Sequence, residues 1–377
     1  MTRVAAVSDK LPQPPAISAE TLLPFSIERS RMFRSQALRM LMALLLLGLS
    51  WPALAAPAQQ SSSPPASDQQ DSNQSVSTLQ VNVNVVNLFF NVKDKHGTLI
   101  PDLKRDDFKV IEDGRQQTIK YFTAETDQPL TLGILIDSSV SQQRVLPMEQ
   151  EVGAAFLNEV LRPKDEAFVI SFDVNVDLLQ DFTNSSRLLR TALNQAKING
   201  GGGCGGVPGL GGGPVPCTNP KGTLLYDAVY LAGHDKLSSE VGRKAMIILT
   251  DGEDQGSQET IRQAIEQAQK ADSICYVLLI ADRGFYGMGG YSGDRAMKEL
   301  AQETGGRVIE VGNKLEKLKQ AFDQIANELR TQYSIGYTPT NAKRDGSFRR
   351  VEVKTKEGFK VQCRSGYYAL PPRGEGE

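Results

Sequence analysis

The chain has 377 residues, 40% of them hydrophobic and 23% charged, with 34 glycines and 19 prolines. That is the composition of a globular protein carrying loose segments, and it excludes a polytopic membrane protein or a wholly disordered chain. A formal charge of −2 offers no basic field for nucleic acid, and two histidines, His96 and His234, are too few for a three-histidine zinc site.

Arg29, Arg31, Arg34 and Arg39 lead into an apolar run from Met40 to Leu49, which ends at Trp51, Pro52 and Ala53-Leu54-Ala55. A positive flank, a short apolar stretch and a small-x-small end make residues 1–55 a secretory signal peptide, with Met32 as an alternative start. The run falls short of the roughly 18 to 20 residues that span a bilayer, so cleavage is expected over retention. Its removal leaves a charge of about −5, an acidic mature chain. Residues 56–78 have almost no side chains able to offset ordering entropy, and they read as a disordered linker.

Residues 79–124 read as strands. LQVNVNVVNLFFNV alternates with period two, and DDFKVIEDGRQQTIKYF holds two short runs joined at Asp113-Gly114, a hairpin signal. Residues 331–371 supply a second strand-rich stretch in QYSIGYTP, FRRVEVKT and FKVQCRSGYYA, before a short tail at 372–377. Neither stretch alone has enough strands for a core, so the two ends are expected to pair into one small β-sandwich-like domain.

Between them, residues 130–330 alternate. The apolar runs TLGILID, AFVISF, AMIILTD, ICYVLLIAD and RVIEV are separated by stretches of helical period, the first from about Arg144 to Leu161. VDLLQDF follows AFVISF too closely for a crossover and predicts an antiparallel edge strand. The expected class is therefore α/β: a doubly wound, mostly parallel, Rossmann-like sheet inserted in the β-sandwich-like domain. In such sheets ligands bind at the carboxyl ends of the strands, which directs attention to the residues there.

TLGILID ends in Asp137-Ser138-Ser139-Val140-Ser141, Thr223 opens a helical stretch, and Asp251 ends AMIILTD. Asp137, Ser139, Ser141, Thr223 and Asp251 are five hard oxygen donors, which suit Mg²⁺ first and Mn²⁺ or Ca²⁺ as alternatives. With only two carboxylates among them, a bound ion keeps the capacity to take a carboxylate from outside. The competing reading has Ser139 and Ser141 capping the following helix and Asp251 the next, with no ion. An aspartyl nucleophile of phosphotransferase type is disfavoured because Ser139 stands where many such sites need a second acid.

The order Asp-x-Ser-x-Ser, Thr, Asp over residues 130–330 resembles the von Willebrand factor A (VWA) domain with its metal-ion-dependent adhesion site (MIDAS). The flanks DDFKVIEDGRQQTIKYF, ETGGRV, QYSIGYTP and SGYYA resemble the VWA-related family described from acidobacteria. The resemblance implies a VWA fold in which both serines bind the metal directly, while Thr223 and Asp251 do so directly or through water. On a chain that carries an export signal, the five-residue oxygen site points to a non-enzymatic, adhesion-type protein in the periplasm, at the cell surface or secreted. Its cation would coordinate an Asp or Glu of a protein partner, and no nucleic acid and no membrane span remain after signal cleavage. The alternatives are a metal-dependent hydrolase using the same site, and an envelope assembly scaffold with a structural ion.

Cys204 and Cys217 flank a glycine-rich insertion ahead of Thr223, where a disulfide between them would pin the loop. Phe285, Tyr286 and Tyr291, in a second glycine-rich loop, read equally as partner anchors and as side chains packed on the insertion. Glu253 and Asp254 read as a solvated acidic loop ahead of the alternative of supporting the ion from behind its ligands, Cys275 as a small buried hydrophobe, and His234 as a surface or interhelix residue.

Overall fold

A computed structural model describes residues 85–124, 127–198, 222–280 and 293–371. The expected signal peptide at 1–55, the expected linker at 56–78, the tail at 372–377, Cys204 and Cys217, and Phe285, Tyr286 and Tyr291 lie outside the described residues.

The first strands are β1 (Val86–Lys93), β2 (Phe108–Glu112), β3 (Arg115–Gln117) and β4 (Ile119–Thr123). The β2–β3 turn falls at Asp113 and Gly114, where φ is 46° and 80°. Two successive positive φ values make the hairpin turn that Asp-Gly favours.

The middle of the chain runs β5 (Leu130–Asp137), α1 (Leu146–Val160), β6 (Glu166–Phe172), β7 (Val176–Thr183) and α2 (Ser186–Leu193). It continues through α3 (Leu225–Leu231), β8 (Arg243–Thr250), α4 (Ile261–Lys270), β9 (Ser273–Leu279), α5 (Gly293–Thr304), β10 (Arg307–Glu310) and α6 (Leu315–Arg330). The chain ends in β11 (Tyr333–Tyr337), β12 (Phe348–Thr355), β13 (Lys360–Gln362) and β14 (Gly366–Tyr368).

The middle strands form one sheet in the order β10-β9-β8-β5-β6-β7. All its pairings are parallel except β7, which runs antiparallel to β6 at the edge, as the short connection requires. Every residue of β5, β8 and β9 is buried, because helices cover both faces. On one face Leu132, Ile134 and Ile136 meet Phe156, Phe322 and Ile325. On the other, Leu135, Ile248 and Val277 meet Leu225, Ala264 and Leu300. Gly133 is required in β5, since a Cβ there would stand 2.6 Å from the Phe168 ring.

The two ends of the chain pair as expected. One sheet has the order β13-β1-β11-β4 and the other β14-β12-β2-β3, so each mixes N- and C-terminal strands. Phe90, Phe108 and Tyr333 fill the space between them, with ring centroids 5.2 to 5.7 Å apart. The stretch FKVQCRSGYYA is not one strand but two, β13 pairing with β1 and β14 with β12. Between them Arg364, 9% exposed, pairs with Asp272 and donates to the Asn87 carbonyl at 2.9 Å. That buried arginine fixes the crossing from one sheet to the other. The fold class is therefore the α/β class expected, a doubly wound sheet inserted in a β-sandwich.

The stretch after Thr223 departs from a single helix. It is α3, then a π-turn at Ala232–Lys236 and a 3₁₀ turn at Leu237–Ser239. Gly233 allows this path, because a Cβ there would press within 3.1 Å of the Gln267 backbone on α4.

Candidate metal centre

Strand order decides where the crevice lies. Chain direction across the sheet reverses between β5 and β8, and the space outside their carboxyl ends is the ligand-binding position of doubly wound folds. The parallel register sets Ile136 beside Leu249, so Asp137 and Thr250 are neighbours at the two strand ends. The Thr250 hydroxyl donates to Asp137 Oδ2 at 2.7 Å and accepts the Gly252 amide at 3.0 Å.

Asp137 is fully buried, Asp251 1% exposed, and Ser139 and Thr223 each 7% exposed. The Ser139 amide donates to Asp137 Oδ1 at 2.9 Å, which turns the chain sharply out of β5. The Ser139 and Ser141 hydroxyl oxygens stand 2.9 Å apart. Thr223 forms a two-bond ladder with Gln255, four residues beyond Asp251, and the following Leu224 amide donates to the Asp173 carbonyl at 2.8 Å. The structure thus joins Asp137, Ser139 and Ser141 by direct contacts. Asp251 is placed through its neighbour Thr250, and Thr223 through the loop that Asp251 begins.

The capping alternative is not what the chain does. Ser139 precedes a 3₁₀ turn at Val140–Gln142 and makes no side-chain cap there, and the N-cap of α1 is Val145. Asp251 Oδ1 accepts the Glu253 amide at 3.1 Å, a local turn, while α4 is capped by Thr260. Both serine hydroxyls therefore remain at the crevice and not in helix ends.

Glu253 and Asp254 are structural rather than a solvated acidic loop. Glu253 Oε1 accepts the Gly293 amide at 3.0 Å, and Asp254 Oδ1 accepts the Tyr226 amide at 3.1 Å and the Ser257 hydroxyl at 2.6 Å. Gly252, at φ 85°, and Gly293 meet so closely that a Cβ on Gly293 would lie 2.4 Å from the Gly252 backbone. This contact seats the Asp251 loop against the start of α5.

Burial, and then the charge of Asp251, push the Asp137 carboxyl up to about 7, against the pull of its hydrogen bonds. Sequence reasoning missed Glu149. It is fully buried on α1, both its carboxylate oxygens lack a partner among the described residues, and burial raises its pKa strongly, with the charges of Asp137 and Asp251 adding to the effect. The signal was present in the sequence as a carboxylate on the apolar stripe of α1, among Leu146, Val152, Gly153 and Phe156.

Among the described residues no three His, Cys, Asp or Glu side chains stand close enough to hold an ion by themselves. A cation here depends on hydroxyls and water in addition to carboxylates. The donor set fits one: oxygen only, with two buried carboxylates, and buried except on the side of Ser141, where a ligand from outside can reach it. By contrast, a cleft of about 1170 Å³ near Lys93, Arg307 and Gln362 holds charges that are already paired with one another. There Glu328 binds Lys93 at 2.8 Å and Arg307 at 2.7 Å.

Cys275 is buried and reduced, its thiol pushed up to about 12 by burial, and His234 is surface-exposed beside Asp235. No helix among the described residues is long and apolar enough to cross a membrane.

Fold and crevice together define an α/β domain with an oxygen-lined site at the switch point of its sheet. No family model matches the chain, and no curated protein matches it. Among solved structures it is similar to a von Willebrand factor type A protein from Catenulispora acidiphila, at 13% identity and a TM-score of 0.41, covering 77% of this chain and 75% of that one. It is also similar to the conserved hypothetical protein BatB from Bacteroides thetaiotaomicron, at 17% identity and a TM-score of 0.40, covering 53% of this chain and 98% of that one. A third is proximal thread matrix protein 1 of the mussel byssus with a zinc-occupied MIDAS motif, at 11% identity and a TM-score of 0.44, covering 58% of this chain and 50% of that one. Scores this low carry no inference, and the fold assignment rests on strand order and register.

Proposed function

We infer that the chain is an exported, non-enzymatic binding protein of VWA type, whose crevice holds a divalent cation and through it an acidic side chain of a protein partner. Asp137, Ser139, Ser141, Thr223 and Asp251 would hold the ion, which supplies an electrophilic centre for a carboxylate from outside. The observation that carries this reading is the pair of serine hydroxyls, 2.9 Å apart beside buried Asp137 and spent on no helix cap. Val140, 44% exposed between those serines, gives the rim an apolar contact next to the polar centre. Export is supported by the arginine-flanked apolar run and its small-x-small end.

The test is a pull-down of partners from envelope extract by the immobilised protein, in Mg²⁺ and then in chelator. Capture that depends on Mg²⁺, fails in Asp137→Ala and is competed by an acidic peptide is the expected result. Capture indifferent to chelator and to Asp137→Ala would sink the reading.

A further inference from the structure

Glu149 is required neither by the five-residue oxygen pattern nor by the packing of α1. Its place on the helix is apolar, between Leu146 and Val152 on the face that meets the sheet, where leucine or methionine would fill the space without burying a charge. Both its carboxylate oxygens are buried and have no partner among the described residues. Gln142 stands seven residues earlier, at the end of the 3₁₀ turn that precedes α1, and like Val145, Leu146, Glu149 and Val152 it is buried. It is 1% exposed, and its amide oxygen and nitrogen are both unpartnered among the described residues. These two buried side chains therefore leave four polar atoms without a partner among the described residues, on the segment that follows the serine loop of the crevice. Buried polar groups are ordinarily paired, and a cluster of such exceptions points to something they are built to hold.

Backbone bonds run from the Gln142 amide to the Ser139 carbonyl at 3.0 Å, from the Val145 amide to the Gln142 carbonyl at 2.9 Å and from the Glu149 amide to the Val145 carbonyl at 3.1 Å, so both side chains stand on the segment that leads straight out of the serine loop. Direct ligation by three carboxylates is not available, since no three acidic or imidazole groups among the described residues stand that close. Four orphaned atoms do supply the roughly two to four partners that a buried water needs. We propose that Glu149 is a third carboxylate of the cation centre, acting on the ion through a buried water shared with Gln142, and that it sets how tightly the crevice holds its cation. This rests on the reading that the crevice holds a cation at all. Glu149 is thus a positioning residue that supplies charge from behind, while Ser139, Ser141 and Thr223 leave the outer side neutral.

The experiment is a titration of Mn²⁺ into the full chain, followed by electron paramagnetic resonance, with thermal unfolding measured with and without Mn²⁺. Wild type, Asp137→Ala, Glu149→Gln and Gln142→Leu are compared. One Mn²⁺ bound by wild type and none by Asp137→Ala is the background on which the inference is read. Glu149→Gln, which keeps shape and removes charge, is expected to weaken Mn²⁺ binding about ten-fold or more, while the metal-free variant melts at or above wild type. Gln142→Leu is expected to weaken binding several-fold through loss of the shared water. Wild-type affinity for Mn²⁺ in both variants overturns the role of Glu149 and leaves the cation reading standing. A Glu149→Gln variant destabilised equally with and without Mn²⁺, at unchanged affinity, also overturns it by showing a structural role alone. Wild type that binds no Mn²⁺ removes the cation reading itself, and this inference with it.

Discussion

Asp137 concentrates the electrostatics of the crevice in one side chain. Its carboxyl is buried and pushed up to about 7, so the folded chain holds this proton far more tightly than the unfolded one. The stabilising contribution is therefore complete below the ordinary carboxylate range and is lost as pH rises through about 7. A cation competes with that proton, so binding should tighten as pH rises. Calorimetric titration with Mg²⁺ at pH 6 and pH 8 is expected to give the tighter binding at pH 8, and equal affinities would count against a cation at Asp137. The serines give a second prediction at this scale. Because neither caps a helix, Ser139→Ala and Ser141→Ala should leave metal-free stability nearly unchanged, well short of the ~1 kcal/mol that a lost cap costs. Cation affinity should fall in both, and denaturant unfolding beside the titration separates the two effects. These residues were legible in the sequence because their spacing is local to strand ends. Glu149 and Thr250 were not, since an acid in an amphipathic helix and a threonine in a strand look ordinary until neighbouring elements close around them.

Elements place the loops that no residue pattern specifies. The Asp251 loop is held by the close approach of Gly252 to Gly293 and by the bond from the Gly293 amide to Glu253. Gly293→Ala should cost about 1 to 3 kcal/mol through overpacking and should weaken cation binding by displacing that loop. Measuring both in one preparation checks it, and an alanine that leaves stability and affinity intact contradicts the role given to this contact. The antiparallel edge strand β7 was readable because only a short turn separates it from β6, which forbids a crossover. The division of the last strand-rich stretch between two sheets was not readable. Its alternation continues past the crossing, and what fixes the break is Arg364 meeting Asp272, a residue distant in sequence.

At the scale of the molecule, the sandwich is closed by residues from opposite ends of the chain. Glu112 accepts hydrogen bonds from Tyr337 at 2.7 Å and Tyr367 at 3.0 Å, and lies 3.5 Å from Arg349, which is itself 1% exposed. Removing one partner of a buried pair leaves the other without compensation, so Arg349→Ala should destabilise the fold by about 3 kcal/mol, read by denaturant unfolding. Retention of full stability would show that the two tyrosines satisfy Glu112 alone. The nested arrangement followed from two strand-rich ends, each too small for a core of its own, flanking an alternating middle, whereas the pairing of individual strands required the three-dimensional register. Whether the crevice of the inserted sheet holds a divalent cation is decided by thermal unfolding of chelator-treated protein against increasing Mg²⁺. A midpoint that climbs with Mg²⁺ concentration in wild type and stays flat in Asp137→Ala is the predicted result. Identical midpoints across the Mg²⁺ series in wild type would contradict it.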